Sequence, residues 1–542
     1  MKTRCDGFKE DIMIQFKNVR EIINNSAKVF PDNLAFKVKL AEKTYDDITF
    51  TRLKEEVEAF GSFLIKEGLQ GKRVAVIGKN SYNWMLVFLA VLSIDSVIVP
   101  LDRGLLEDEL NDQLRRSEAD AIFYTKPFED KISDEHNLYK VCMEDEKFGE
   151  CLSEGMKLDK EEYNNIEVDA EKMSILIFTS GTTSKSKAVM LSQKNLCSNI
   201  SGLNEWEKFY PTDVNMAILP LHHAFGMVQV VLFISTGVCN VFCEGLRIAK
   251  CLNEYGVSIL VGVPLIIETI YKTVIREIEK QNKTKKVNFV IKLCKTLDKL
   301  HIDVKRKIFA EIIGKLGGKL RLIISGAAPI DPVVAKWFND VGIVLIQGYG
   351  LSETAPVVSA ENPEHIRNGS IGFPLPGYEV KIIDADENGI GEIITKGDNV
   401  MLGYYKDEEN TAKVLVDGWF HTGDMGYIDK DGYIFITGRK KNVIVLNNGK
   451  NVFPEELESL MAGTDYIKEC VVYNRMDDGK DLICAKVVYD SEKYKDKAEV
   501  EKLVKEKIEE VNTKLVSYKQ IRDFELTDVE MDKTTTGKIK RH

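Results

Sequence analysis

The chain has 542 residues, too many for one hydrophobic core, so two or more domains are expected. Its residues are 44% hydrophobic and 29% charged with no low-complexity block, the composition of an ordinary globular protein. A formal net charge of −11 argues against nucleic acid or an anionic membrane surface as the main partner, since both select a basic surface.

The first residues, MKTRCDGFKEDIMIQF, carry charges throughout and lack an apolar core, so they do not read as a secretory signal. From about residue 70 to 350, short apolar runs alternate with longer amphipathic segments. RVAVIG (73–78), SVIVPLD (96–102), AIFYT (121–125), SILIFT (174–179), NVFCE (240–244), SILVGVP (258–264), RLIISG (321–326) and VLIQGYG (344–350) read as buried strands. The alternation predicts α/β architecture with largely parallel sheets. The units at 73–102 and 215–244 look alike, which predicts two related subdomains, each with its own sheet.

Residues 216–243 contain no Asp, Glu, Lys or Arg, but Pro220, His222, His223, Gly226 and Gln229 divide them into pieces too short to span a bilayer. Strand, turn, helix and strand are expected there. A long helical insert rich in Lys and Leu is expected over 266–320. After residue 375, Gly and Asp turns separate alternating strands, which predicts an antiparallel or barrel-like subdomain. The tail holds a helix opening at Pro454, two strands and a lysine-rich helix near 497–517. A boundary near Arg439–Lys441 separates an N-terminal domain, 1–438, from a small α+β lid, 439–542. None of the ten cysteines forms a CxxC pair, and they read as reduced, mostly buried thiols of a cytoplasmic protein.

The stretch FTSGTTSKSKAVMLSQKN (178–195) sets small hydroxyl residues, a glycine and two lysines behind an apolar strand. Backbone N–H groups and hydroxyls there can converge on phosphate oxygens, and Lys187 can add a point charge. The GxxxxGK[ST] spacing of a P-loop is absent, and a Ser/Thr-rich surface turn has the same composition. Further along come RLIISGAAPI (321–330), IQGYGLSETAP (346–356), GSIGFPLPG (369–377), GWFHTGD (418–424), GYIFITGRKKNVI (432–444) and KTTTGKIKR (533–541).

This ordered set resembles the adenylate-forming superfamily of acyl-CoA synthetases, luciferases and peptide-synthetase adenylation domains, most of all the bacterial long-chain fatty-acyl-CoA synthetases. The resemblance runs from about residue 30 onward. It implies ATP-dependent activation of a medium- to long-chain fatty acid to acyl-AMP with release of pyrophosphate, then transfer to the thiol of coenzyme A. It implies ATP and Mg²⁺ as requirements, a monomer or homodimer, and a lid that rotates between the two half-reactions. A ligase loading an acyl carrier protein and a catalytically weakened binding homologue are the alternatives.

By the same resemblance, Thr179, Ser180, Gly181, Thr182, Thr183 and Lys187 hold the triphosphate, and Glu353 binds Mg²⁺ with help from Thr179. Tyr349 stacks on adenine opposite Gly326, Ala327 and Ala328, while Gln347, Gly348, Gly350 and Ser352 line the nucleotide. Asp424 holds the ribose hydroxyls, assisted by Arg439, although an Asx turn after Gly423 accounts equally for an aspartate there. Lys441 is the hinge. Lys538 reaches the α-phosphate and the substrate carboxylate together. Gly449 and Lys450, in NNGKNVFP, line a pantetheine channel. His223 in LPLHHAFG matches a histidine beside the acyl carboxylate, though a histidine on an apolar turn also occurs as a plain core residue. The following AFGMVQVV, Ser325 and residues near Val357 wall the acyl pocket. No acidic residue occurs from Val214 to Cys243, which speaks against amino-acid substrates. The phosphate loop departs from the family pattern, with Ser184, Ser186 and Ala188 in place of Gly, Pro and Gly.

Overall fold

The structure is a computed structural model that describes residues 15–179, 186–243, 247–298, 300, 302–447, 450–477, 480–533, 539 and 541. Two large sheets dominate it. The nine-stranded sheet runs in the order Phe373–Pro374, Val357–Ala360, Val344–Gly350, Leu322–Ser325, Ile259–Gly262, Val214–Ala217, Cys239–Phe242, Leu34–Ala41, Thr44–Thr49. Its interior strands are parallel, and antiparallel pairs close both edges. In the seven-stranded sheet the order is Gly403–Tyr404, Lys187–Ser192, Met173–Thr179, Val97–Leu101, Arg73–Ile77, Ala121–Tyr124, Tyr139–Cys142.

One continuous core joins the two sheets, since Val74, Val76, Ile98 and Ile175 cluster with Ile259, Val261, Leu322 and Ile346. Between the sheets lie the helices Tyr82–Ser93, here α1, and Ala224–Ser235, here α2. Their residues are apolar on every side, and a helix apolar all round must be buried all round. Ser81 fixes the start of α1 by accepting a hydrogen bond from the Trp84 N–H. Separate clusters cover the outer faces of the sheets. Residues 216–243 thus form strand, turn, helix and strand as expected, and among the described residues no helix is long and apolar enough to cross a membrane.

Beyond residue 375 the antiparallel subdomain appears as Glu379–Ile383, Gly391–Lys396, Trp419–Ile428, Leu415–Val416 and Ile434–Arg439. A small C-terminal domain follows. Its strands Ile467–Asp477, Lys480–Tyr489 and Asp523–Thr527 pack under the helices Pro454–Met461 and Lys497–Asn512 through Leu457, Val472, Val487, Val500 and Val504. The insert begins with the helices Pro264–Lys280, here α3, and Thr284–Asp298, here α4.

Several strands were not legible from the apolar runs. Lys187–Ser192 is a strand antiparallel to Met173–Thr179, so the phosphate-loop stretch is a hairpin rather than one long loop. Its lysine and serines disguise it, yet Ser192 then caps the helix Gln193–Trp206 in a reciprocal box with Asn195. Leu34–Ala41, Thr44–Thr49 and Tyr139–Cys142 also extend the sheets. The nine described cysteines are free thiols, eight of them buried and Cys470 half-buried.

Candidate active site

Thr179 and Lys187 face each other at the open end of the hairpin, and the Thr179 hydroxyl donates to the Lys187 carbonyl at 3.4 Å. Ser180, Gly181, Thr182, Thr183 and Ser184 lie between them, outside the described residues. Ser186, which replaces the family's proline, is held from the helix Glu107–Ser117. Arg116 donates to its hydroxyl at 3.0 Å and to its carbonyl at 2.6 Å. A side chain without the proline ring is thus anchored by an external guanidinium.

The Lys187 ammonium sits 4.5 Å from the centre of the Tyr404 ring, and the Tyr404 hydroxyl donates to Oε1 of Glu353 at 2.9 Å. Burial, then the Glu353 charge, pushes the Tyr404 hydroxyl well above its ordinary pKa, so it stays a donor. The Met401 N–H fixes the Glu353 carbonyl at 2.9 Å. Glu353 therefore stands at the hairpin mouth with one oxygen held by tyrosine, while Oε2 takes no hydrogen bond among the described residues. Carboxylate and hydroxyl oxygens of this kind are the donors a hard divalent cation takes.

On the nine-stranded sheet, Leu322–Ser325 ends at buried Gly326, where a Cβ would lie 2.8 Å from the Phe225 ring. Ala327 takes the left-handed conformation, φ 70°, and Ala327 and Ala328 are exposed. The neighbouring strand carries Gln347, Gly348, Tyr349 and Gly350 at its end, with Ser352 in the turn beyond. Gly350 has no room for a Cβ, which would fall 1.8 Å from the Pro356 carbonyl. The Tyr349 hydroxyl donates to Oδ2 of Asp424 at 2.6 Å, and Arg439 Nε lies 2.8 Å from Oδ1. Asp424 is buried, and its own N–H donates to the Thr422 hydroxyl at 3.0 Å within the strand Trp419–Ile428. Tyr349, Asp424 and Arg439 are brought together as a unit.

His223 opens α2 as its N-cap residue, with its ring 4.1 Å from that of His222. His222 Nε2 lies 3.2 Å from Asp102 Oδ1 at the end of the strand Val97–Leu101, within charge-pairing reach but poorly aligned as a hydrogen bond. Burial raises the Asp102 carboxyl, but pairing with His222 outweighs it and holds the group well below the carboxylate range. Asn80 ties the two sheets at the same point, donating to the Leu219 carbonyl at 2.7 Å and accepting from the Leu221 N–H at 3.1 Å. One turn below Phe225, Gln229 is buried, and neither amide atom has a partner among the described residues.

In the C-terminal domain, Lys441 is exposed in the turn Lys440–Asn442, and its neighbour Lys440 pairs with Glu392 at 2.7 Å. Lys450 pairs with Glu387. Gly449 and Lys538 lie outside the described residues. Lys533 and Ile539, which flank the segment containing Lys538, form an antiparallel bridge, and Arg541 pairs with Glu458. Tyr404, Asp102 and Arg116 were missed by motif reading, whereas Gln229 lies in the AFGMVQVV stretch expected to wall the acyl pocket. Only Asp102 had a local signal, an acid at the carboxyl end of a parallel strand, where open α/β sheets place their ligands.

The AMP-binding enzyme family matches residues 23–405, and the AMP-binding enzyme C-terminal domain matches residues 441–542. The chain is 27% identical over 510 residues to the long-chain-fatty-acid–CoA ligase FadD15 of Mycobacterium bovis, covering 88% of this chain and 83% of that protein. It is 27% identical over 548 residues to the chloroplastic long-chain-fatty-acid–[acyl-carrier-protein] ligase AEE15 of Arabidopsis thaliana, covering 84% and 75%. O-succinylbenzoate coenzyme A synthetase from Bacillus subtilis, in complex with AMP, shares the fold with a TM-score of 0.74 at 22% identity, over 96% of this chain and 97% of that one. The family match spans well over half the residues, and the chain belongs to the AMP-binding enzyme family of adenylate-forming ligases.

Proposed function

We propose that the protein activates a medium- to long-chain fatty acid with ATP and transfers the acyl group to coenzyme A. The observation that carries this reading is the convergence of Lys187, Tyr404 and Glu353 at the hairpin mouth, with Tyr349, Asp424 and Arg439 forming a second polar cluster. Support for the acyl class comes from the likeness to long-chain-fatty-acid–CoA ligases and from the absence of Asp, Glu, Lys and Arg over 216–243, which contains the proposed acyl wall.

In the first half-reaction a carboxylate oxygen attacks the α-phosphorus of ATP. The bond from that phosphorus to the bridging oxygen breaks, and pyrophosphate leaves with the electron pair. Two anions must meet, and at about 4 Å two like unit charges repel by roughly 1 kcal/mol in water and several times more in a partly dry site. Lys187 and Lys538 supply positive charge from the chain. Glu353 and Thr179 would hold a divalent cation, which would neutralise phosphate charge when bound. Tyr404 orients the Glu353 carboxylate. Tyr349 stacks on adenine against Gly326, Ala327 and Ala328, and Asp424 with Arg439 holds the ribose. His223 borders the acyl carboxylate.

In the second half-reaction the thiol sulfur of coenzyme A attacks the acyl carbon, AMP leaves, and the thiol proton is released. The lid, residues 439–542, turns about Lys441 between the halves, withdrawing Lys538 and presenting Gly449 and Lys450 to the pantetheine arm. Delivery to a carrier protein is the second reading, favoured by the likeness to AEE15. A panel of acids from acetate through palmitate to benzoate, followed by pyrophosphate release with free coenzyme A or acyl carrier protein as acceptor, tests both. Turnover greatest with fatty acids and coenzyme A supports the first reading. Thioester on the carrier protein alone supports the second, and no acid-dependent pyrophosphate release contradicts both.

A further inference from the structure

The outer face of the nine-stranded sheet holds two neighbouring thiols that take no part in the adenylation proposed above. Cys243 directly follows the strand Cys239–Phe242, and Cys251 lies in the helix Ile248–Tyr255. Both belong to the apolar cluster on that face, 7% and 8% exposed. Their side chains are in hydrogen-bond contact with each other.

The fold holds this pair in place. One turn beyond Cys251, Oε1 of Glu254 accepts from the Tyr45 hydroxyl at 2.5 Å and pairs with Lys39, which ties the helix to the two strands at the sheet edge. The Tyr45 and Tyr255 rings meet edge-on at 5.8 Å. Leu252, beside Cys251, anchors the helix in the core. Cys239 belongs to the same cluster, but four residues of extended chain separate it from Cys243 by roughly 13 Å, so the two cannot meet Cys251 together.

Thiols that only fill a core are pushed up by burial, as Cys197 and Cys239 are. This pair is polarised instead. The bond with Cys243 holds the Cys251 thiol below its ordinary pKa against its burial, while the same bond and burial raise Cys243. A thiolate beside a protonated thiol is the arrangement of an attacking and a resolving cysteine.

We propose that Cys243 and Cys251 form a site of reversible oxidation, with hydrogen peroxide as the oxidant. The Cys251 thiolate attacks one peroxide oxygen, the O–O bond breaks, and hydroxide leaves and takes up a proton. Sulfur is thereby oxidised to a sulfenic acid, and the departing oxygen is reduced to water. The Cys243 sulfur then attacks the Cys251 sulfur, the S–O bond breaks, and the Cys243 proton leaves with the oxygen as a second water. The product is a disulfide joining strand end to helix, and a dithiol restores the pair by exchange.

The experiment treats the reduced full chain with hydrogen peroxide, stops the reaction with catalase, blocks remaining thiols in denaturant and maps tryptic peptides without reduction. Cleavage after Arg247 and Lys250 parts Cys243 from Cys251, so a bond between them appears as two joined peptides. Fragmentation separates Cys243 from Cys239, which shares its peptide. The joined pair should form at least about tenfold faster than any other described cysteine is lost, and dithiothreitol should reverse it. Cys243→Ser should leave a Cys251 sulfenic acid that dimedone traps. Cys251→Ser should slow oxidation of Cys243 at least about tenfold. The wild-type map decides the matter even where a variant fails to fold. No joined peptide, a Cys239–Cys251 bond in its place, or loss of the Cys251 thiol no faster than that of Cys197 would overturn the proposal.

Discussion

The hydroxyl of Tyr349 donates to Asp424 at 2.6 Å, linking the end of a parallel strand in the large sheet to the antiparallel subdomain. Burial, then the charge of Asp424, drives the Tyr349 hydroxyl well above its ordinary pKa, so it donates at every working pH. Asp424→Ala should weaken AMP binding by roughly a hundredfold, since under the proposed function it removes charge-assisted bonds to ribose. Tyr349→Phe keeps the stacking ring and should cost about tenfold or less. In the double variant the two losses should fall short of additive by about 1 kcal/mol, measured by fluorescence titration. Full additivity would show that the two groups act on separate parts of the ligand.

Tyr404 is expected to act through Glu353. Tyr404→Phe removes the only hydrogen bond that a described side chain makes to that carboxylate. The variant should need about 10–100 times more Mg²⁺ for half-maximal pyrophosphate release, with kcat at saturating Mg²⁺ within a few-fold. Unchanged Mg²⁺ dependence would contradict the role.

Glu361 gives the site a pH signature. Burial pushes its carboxyl up to about 7, although it accepts from the Gln347 N–H at 3.0 Å and the Arg367 N–H at 2.8 Å. A raised folded pKa means that the folded state binds the proton more tightly than the unfolded one. Its stabilising contribution is therefore complete below the unfolded value, near 4.5, and is lost as pH rises through about 7. The unfolding free energy of the wild type minus that of Glu361→Gln should fall by as much as about 3 kcal/mol between the two limits. A flat difference in denaturant titrations would refute it.

Much of this architecture was legible in the chain, and the omissions share a cause. Val344–Gly350 reads correctly to both ends because it opens on an apolar run whose Leu345, Ile346 and Gln347 are buried. The helices α1 and α2 are as plain, being apolar on all sides. Lys187–Ser192 escaped because it lies near the sheet edge, paired to the two-residue strand Gly403–Tyr404, with lysine and serine at its ends. The Tyr404–Glu353 bond spans 51 residues, and the Asp102–His222 contact joins different sheets. No local pattern encodes such meetings. Motif order located Tyr349, Asp424 and Arg439 but could not say that they touch.

Gln229 offers a test of the acyl wall. Its amide is buried on the α2 face that carries Phe225, and both polar atoms lack partners among the described residues. An unmatched buried amide costs about 1–3 kcal/mol, so Gln229→Leu should stabilise the fold by an amount in that range. It should also lower KM for unsubstituted fatty acids relative to hydroxylated ones. A loss of stability in thermal unfolding would mean that the amide is already satisfied.

The central claim is that a lysine delivered by the C-terminal domain drives adenylation and then leaves. Its most direct measurement separates the half-reactions in Lys538→Ala, using acid-dependent ATP–pyrophosphate exchange for the first and thioester formation from supplied acyl-adenylate and coenzyme A for the second. The account predicts that exchange falls by roughly a hundredfold or more while thioester formation stays near wild type. Exchange at the wild-type rate, or equal loss of both halves, would contradict it.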